Sequence, residues 1–194
     1  KNSCIIDQMA DNKVCYFKRL NVSKTDVEPS KEIADRFLKM VTNDENSYFN
    51  ATLQTWYMMQ VASGVRAKTN FFVSKSKVRT GKGLRHIALQ ALFECVPVEL
   101  DVLTGGSFEA MQGWSLFSGG EMALATEQGD IQGLKLERVL KIIATEKSHV
   151  TRGIGQNISK VNLTAVLCID TNRTVALSDE MNGRKVLIQF RDRP

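Results

Sequence analysis

The stretch from Asn70 to Leu92 constrains this chain more than any other. Asn70-Phe71-Phe72-Val73-Ser74 is short, apolar and rich in β-favouring residues, which predicts a buried strand. A polar, basic turn follows, Ser76-Lys77-Val78-Arg79-Thr80-Gly81-Lys82-Gly83. After it, Leu84, Ile87, Ala88, Ala91 and Leu92 share one face of a helix. Strand, glycine-bearing loop and helix in succession begin a βαβ unit.

A loop in that setting can cradle phosphate. Such a cradle needs converging backbone N–H groups, glycine where the backbone comes close, and a lysine reaching the β- and γ-phosphates. Gly81-Lys82 at a helix start meets these needs, and the helix dipole adds its positive end. Nucleotide contacts are therefore expected from Ser76, Lys77, Val78, Arg79, Thr80, Gly81, Lys82, Gly83 and Leu84. Two positions depart from the usual pattern. Ser76 stands where the first glycine belongs, and Gly83 stands where a Ser or Thr hydroxyl holds Mg²⁺. Taken alone, the loop also reads as a basic surface turn.

The remaining pattern supplies the setting. Val14 to Leu20 has strand character, and Pro29-Ser30 opens a helix with Ile33, Phe37, Met40 and Val41 in register. Asn43 to Ser47 breaks it, and a second helix is expected from Tyr48 to Val61, ended by Ser63-Gly64, with Trp56 to Met59 as packing residues. Downstream, a strand over Glu121 to Thr126 precedes a helix over Leu134 to Thr145, with Leu136, Val139, Leu140 and Ile143 inward. A turn at Gly153 to Asn157 joins two extended runs, and Leu163 to Ile169 and Lys185 to Phe190 read as strands. Strands alternating with helices predict an α/β fold with a mostly parallel sheet. The expected division is residues 1–64, an extended segment with a helical bundle or collar, and residues 65–194, the core that carries the phosphate-type loop.

Composition narrows the function classes. The 194 residues carry a net charge of +5, which permits a polyanionic partner without requiring one. Cys4, Cys15, Cys95 and Cys168 are scattered, and with His86 and His149 they form no zinc pattern, so reduced thiols are expected. Asn21, Asn50, Asn157, Asn162 and Asn172 begin glycosylation triplets, but no signal peptide or long apolar run accompanies them, so a cytoplasmic protein without a membrane partner is expected. No nucleophile–base motif for acyl transfer is present.

From about Pro29 onward the chain resembles the superfamily-3-like helicase domains of phage and viral primase-helicases, within the AAA+ class. The resemblance rests on features in order: Phe71 to Leu84, Met122 to Glu127, Leu140-Lys141, His149 to Lys160, Leu167 to Asn172, and Gly183-Arg184-Lys185 before Val186 to Phe190. It implies a P-loop ATPase acting on ATP with Mg²⁺, in which Lys82 neutralises the γ-phosphate. Glu127 would polarise the attacking water or hold the metal, with Glu121 as second choice. Thr126 stands where such families have another acid, and Asp130 follows. Asn172 resembles the polar sensor of the γ-phosphate, although Asn is also a turn former. Arg184 resembles the arginine finger given to a neighbouring subunit, with Arg173 and Lys185 as alternatives.

A finger acting in trans implies a homo-oligomeric ring, commonly a hexamer. The hairpin of His149 to Lys160 would enter its channel, with Lys147, His149, Arg152 and Lys160 on the phosphates of single-stranded or forked DNA. The implied activity is that of a replicative helicase of phage, viral or mobile-element type in the host cytoplasm. Two other classes remain open: a nucleic-acid-binding replication or loader protein with a degenerate nucleotide site, motivated by Ser76 and Gly83, and a small-molecule phosphotransferase.

Overall fold

The computed structural model describes residues 31–65, 70–77, 80–105, 108–115, 117, 120–152 and 157–192. The strand expected at Val14 to Leu20, the turn residues Gly153 to Gln156, and Val78 and Arg79 lie outside them. Two helices come first, α1 (Lys31–Val41) and α2 (Glu45–Ala62). Then follow β1 (Phe71–Lys75), α3 (Lys82–Leu92), β2 (Cys95–Pro97), α4 (Leu100–Leu103), α5 (Phe108–Ser115) and β3 (Met122–Gln128). The chain continues with β4 (Ile131–Gln132), α6 (Leu134–Thr145), β5 (Ser148–Arg152), β6 (Ile158–Asn162) and β7 (Val166–Thr171). It finishes with β8 (Val175–Ala176), α7 (Asp179–Asn182) and β9 (Lys185–Gln189).

Five strands form one sheet in the order β2-β3-β7-β1-β9, and every pairing in it is parallel. The expected α/β architecture with a mostly parallel sheet is therefore present. Both faces of the sheet are covered, which explains why its central strands read as unbroken apolar runs. On one face Phe71, Val73, Ala123, Ala125, Leu167 and Ile169 pack with Leu136, Val139, Leu140 and Ile143 of α6. On the other, Phe72, Met122, Leu124, Val166, Cys168 and Ile188 meet Val41, Ala51, Met58, Ala62, Leu89 and Phe93.

Helices α1 and α2 thus share a core with the sheet. The chain between them is tied to the last strand: Asn43 N donates to Gln189 O at 2.9 Å, and Arg191 N donates to Val41 O at 2.8 Å. The α2 helix starts at Glu45, within the segment expected to break it, because Asp44 caps it. The Asp44 carboxylate accepts from Ser47 N at 2.7 Å, and that bond holds its pKa below the usual value. Of the four residues read as packing on α2, Met58 is fully buried, whereas Trp56 and Met59 are about half exposed.

Helix α3 departs most from its sequence pattern. Its apolar face points to solvent, with Leu84 59% and Ile87 64% exposed, and the face on the sheet carries Arg85, His86 and Leu89. The reason is a buried polar layer beneath it. The Arg85 guanidinium donates to Gln54 Oε1, to Ala51 O at 2.7 Å and to Thr55 Oγ1 at 3.4 Å. Gln54 in turn donates from Nε2 to Cys168 Sγ at 2.9 Å. Burial lowers the Arg85 pKa to about 10, which leaves it charged at neutral pH, and pushes the Cys168 thiol up to about 12. Cys95 and Cys168 are both free thiols. Among the described residues, no helix is long and apolar enough to cross a membrane.

Candidate nucleotide site

The Ser76 to Gly81 loop leaves the carboxyl end of β1 and turns into α3 at Gly81. Gly81 has φ +92°, and an added Cβ there would sit 3.0 Å from Val41 Cγ1. The turn therefore needs glycine for both its backbone hand and its closeness to α1. Lys82 is the first residue of α3, as the sequence predicts. Helix α3 offers its amino end toward an open pocket of about 810 Å³.

Five parts of the expected loop line that pocket beyond Lys82 itself: Ser76, Lys77, Thr80, Gly81 and Gly83, and Leu84 joins them. Ser76 and Thr80 are buried, and Ser76 Oγ has no hydrogen-bond partner among the described residues. Lys77 Nζ pairs with Asp192 Oδ2 at 2.6 Å. Gly83 has open space where a side chain would be.

The opposite wall comes from the ends of β3 and β7, the usual ligand position in open parallel sheets. Asn172, the expected sensor, follows β7 directly and lines the pocket together with Arg173. Thr171 holds this corner: its hydroxyl donates to Gln128 O at 2.9 Å and accepts from Arg173 N at 3.0 Å. Glu127 lies in β3, beside a register shift between Ala125 and Gln128 that interrupts its pairing with β7. Bulges of this kind re-aim residues near sites. Its side chain, like that of Arg152, falls outside the described atoms. Glu121 is at the far, amino end of β3, where its carboxylate accepts from Glu94 N at 2.6 Å and secures the start of the strand.

Asp170, which lines the pocket, and His86, buried beside it, are groups that motif reading missed. Asp170 is buried near the end of β7, and its Oδ2 receives His86 Nδ1 at 3.0 Å and lies 3.9 Å from Lys82 Nζ. Lys82 and His86 are one helical turn apart, which brings both over the same carboxylate. The signal in the sequence was an acid inside an otherwise apolar strand, Val166-Leu167-Cys168-Ile169-Asp170. Among the described residues, no three His, Cys, Asp or Glu side chains gather into a protein-only metal site.

Arg184 is at the other end of the sheet. Its carbonyl accepts from Phe71 N at 3.1 Å, beside the first residue of β1, whereas Lys82 follows the last. Its guanidinium is partly buried, with Nη2 at 3.7 Å from Glu180 Oε1, and Lys141 Nζ meets the same oxygen at 2.8 Å. The Lys141 hydrogen bond is the main reason the Glu180 pKa lies below its ordinary value.

The expected hairpin is formed by β5 and β6, antiparallel, with His149 opposite Val161 and Val150 opposite Lys160. Lys147 and Lys160 are exposed. His149 instead packs on Trp114 of α5, ring centroids 4.2 Å apart, and burial lowers its pKa. Thr151 Oγ1 also donates to Met111 O, so β5 is the docked strand of the hairpin.

No family model and no curated protein matches the sequence. Solved structures do. The apo structure of the NrS-1 C-terminal region (305–718) aligns with a TM-score of 0.64 at 16% identity, over 90% of this chain and 40% of that one. The A form of the same region gives 0.62 at 16% identity, over 90% and 39%. The X-ray structure of JCV helicase gives 0.45 at 13% identity, over 74% and 40%. This chain spans about 40% of the length of the structures it matches. At such identity, the two NrS-1 alignments establish one thing, a shared fold.

Proposed function

We propose that this chain is the ATPase core of a ring-forming, ATP-dependent nucleic-acid motor of the replicative helicase kind. The observation that carries the reading is the convergence of Lys82, at the head of α3 behind a left-handed Gly81, with Asn172 in one pocket at the carboxyl ends of parallel strands. The fold shared with the NrS-1 C-terminal region supports it.

In this mechanism, the α3 amino end and Lys82 bind the β- and γ-phosphates of ATP. Asn172 orients a water in line with the γ-phosphorus, and Glu127 accepts its proton as the bond to the ADP oxygen breaks. Mg²⁺ would be held here by an acid at the carboxyl ends of β3 or β7, and would supply positive charge against that developing on the phosphates. Arg184, at the opposite end of the sheet from Lys82, serves the neighbouring subunit's ATP, which makes a hexameric ring the working assembly. The β5–β6 hairpin carries Lys160, with Lys147 at its base, to the phosphates of single-stranded or forked DNA.

A second reading follows from Gly83, which supplies no hydroxyl for a metal. In that reading the chain is a nucleic-acid-binding replication or loader protein whose nucleotide site is weak or silent. One experiment separates the two: ATP turnover with and without single-stranded DNA, for wild type and Lys82→Ala, with assembly state recorded. DNA-stimulated turnover that requires Lys82 supports the motor. A confirmed oligomer that binds DNA in a salt-sensitive, ATP-indifferent way and hydrolyses nothing supports the loader.

A further inference from the structure

The loop lacks a hydroxyl after Lys82, and β3 offers Thr126 ahead of Glu127. The strand order decides where another metal ligand can come from. Strand β7 lies between β1 and β3. Its end is one strand spacing from β1, about 4.8 Å, whereas β3 is two spacings away, roughly 9.6 Å. Asp170 occupies this near position, paired in register with Ser74 of β1.

The two Asp170 oxygens have different surroundings. Oδ2 is held by His86 and faces Lys82, as described. Oδ1 is buried and has no hydrogen-bond partner among the described residues, although the side chain, 8% exposed, belongs to the pocket lining. A buried carboxylate oxygen left unmet is costly, and a donor or a cation resolves it. Ser76 Oγ, in the same pocket, is likewise buried and unmet.

The geometry points to Asp170 as the carboxylate that holds the divalent cation accompanying bound nucleotide, through Oδ1, with His86 as its positioning residue. This rests on the nucleotide-site reading above. Mg²⁺ needs only one or two carboxylates besides phosphate oxygens and water, so a lone acid suffices. The His86 contact on the other oxygen is the kind of outer support that fixes a ligating carboxylate.

The test is binding of a fluorescent ATP analogue with EDTA and with Mg²⁺, for wild type, Asp170→Asn, Glu127→Gln and Asp170→Cys, with thermal unfolding of each. Wild type is expected to bind at least about tenfold tighter with Mg²⁺, within the range for lost metal contacts. Asp170→Asn should erase that gain while binding the metal-free analogue as well as wild type or better, because a negative charge beside the phosphates is gone. Glu127→Gln should keep the gain. Asp170→Cys should shift the preference from Mg²⁺ to Cd²⁺, a softer ion, and it provides the readout if Asp170→Asn unfolds. A full Mg²⁺ gain in Asp170→Asn, a Mg²⁺ gain lost in Glu127→Gln, or an unchanged metal preference in Asp170→Cys overturns the assignment while leaving the nucleotide site standing. Failure of wild type to bind the analogue under either condition removes both.

Discussion

Lys82 Nζ and Asp170 Oδ2 face each other at 3.9 Å across the pocket at the carboxyl ends of the strands, one from the head of α3 and the other from the end of β7. The lysine is held by its place on the helix, and the carboxylate by His86. Removing the Lys82 amine should therefore leave the fold in place, with Tm within a few degrees of wild type. Turnover should fall by about 10²-fold or more, as for loss of other groups that stabilise transition-state charge. Paired melting and ATPase assays check both halves.

The two loop glycines should respond in opposite ways. Gly81→Ala forces a Cβ into a left-handed turn against Val41, so it should destabilise by about 1 kcal/mol or more and loosen nucleotide binding. Gly83→Thr meets open space and restores a hydroxyl after Lys82. Its stability should change by less than about 0.5 kcal/mol, as at other open sites, and Mg²⁺-dependent nucleotide affinity should rise. Denaturant titration and metal-dependent binding distinguish the pair.

Arg85 makes a structural prediction independent of function. Arg85→Met leaves Gln54 Oε1 without its donor in a buried layer, and should cost about 2–3 kcal/mol. Adding Gln54→Leu should recover part of the loss, with a coupling of about 1 kcal/mol in a double-mutant cycle. Additive losses would mean that the two side chains do not act as one network.

Arg184 and Lys82 are at opposite ends of the sheet, so one subunit cannot bring them together. If rings form, Lys82→Ala and Arg184→Ala subunits should each be inactive alone, and mixtures should regain part of the activity at interfaces pairing an intact Lys82 with an intact Arg184. A mixture as inactive as either parent would end the finger assignment.

The hairpin separates charge from packing. Lys160→Ala and Lys147→Ala should each lower the salt slope of DNA binding by about 1. His149→Gln should leave that slope unchanged near neutral pH. Because folding lowers the His149 pKa from 6.5, its stabilising effect is present above that value and lost as pH falls through the folded pKa. Wild-type Tm should therefore drop more steeply below pH 6.5 than that of His149→Gln, measured by thermal melts across pH.

The local elements were legible before any coordinates. Phe71 to Lys75 and Val166 to Thr171 are runs buried on both faces, and the Leu136, Val139, Leu140 and Ile143 spacing made α6 readable as a helix with one inward face. Gly81 and Lys82 announced their turn because backbone hand and helix start are properties of neighbouring residues. The same reasoning misjudged α3: its apolar spacing is real, but which face turns inward depends on what lies beneath. There, Gln54 and Cys168 accommodate Arg85, and Asp170 meets His86.

By itself, then, the sequence determined the main strands and helices, the glycine turn into α3 and the α/β class, all set by short-range periodicity and turn chemistry. The tertiary structure alone decided the order β2-β3-β7-β1-β9, and with it the meeting of Asp170 with Lys82, while the parallel pairing of β9 with β1 put Arg184 at the opposite end from both. Strand order arises from packing between segments far apart in the chain, so the acid that meets Lys82 is set by adjacency in the sheet, which no local spacing encodes.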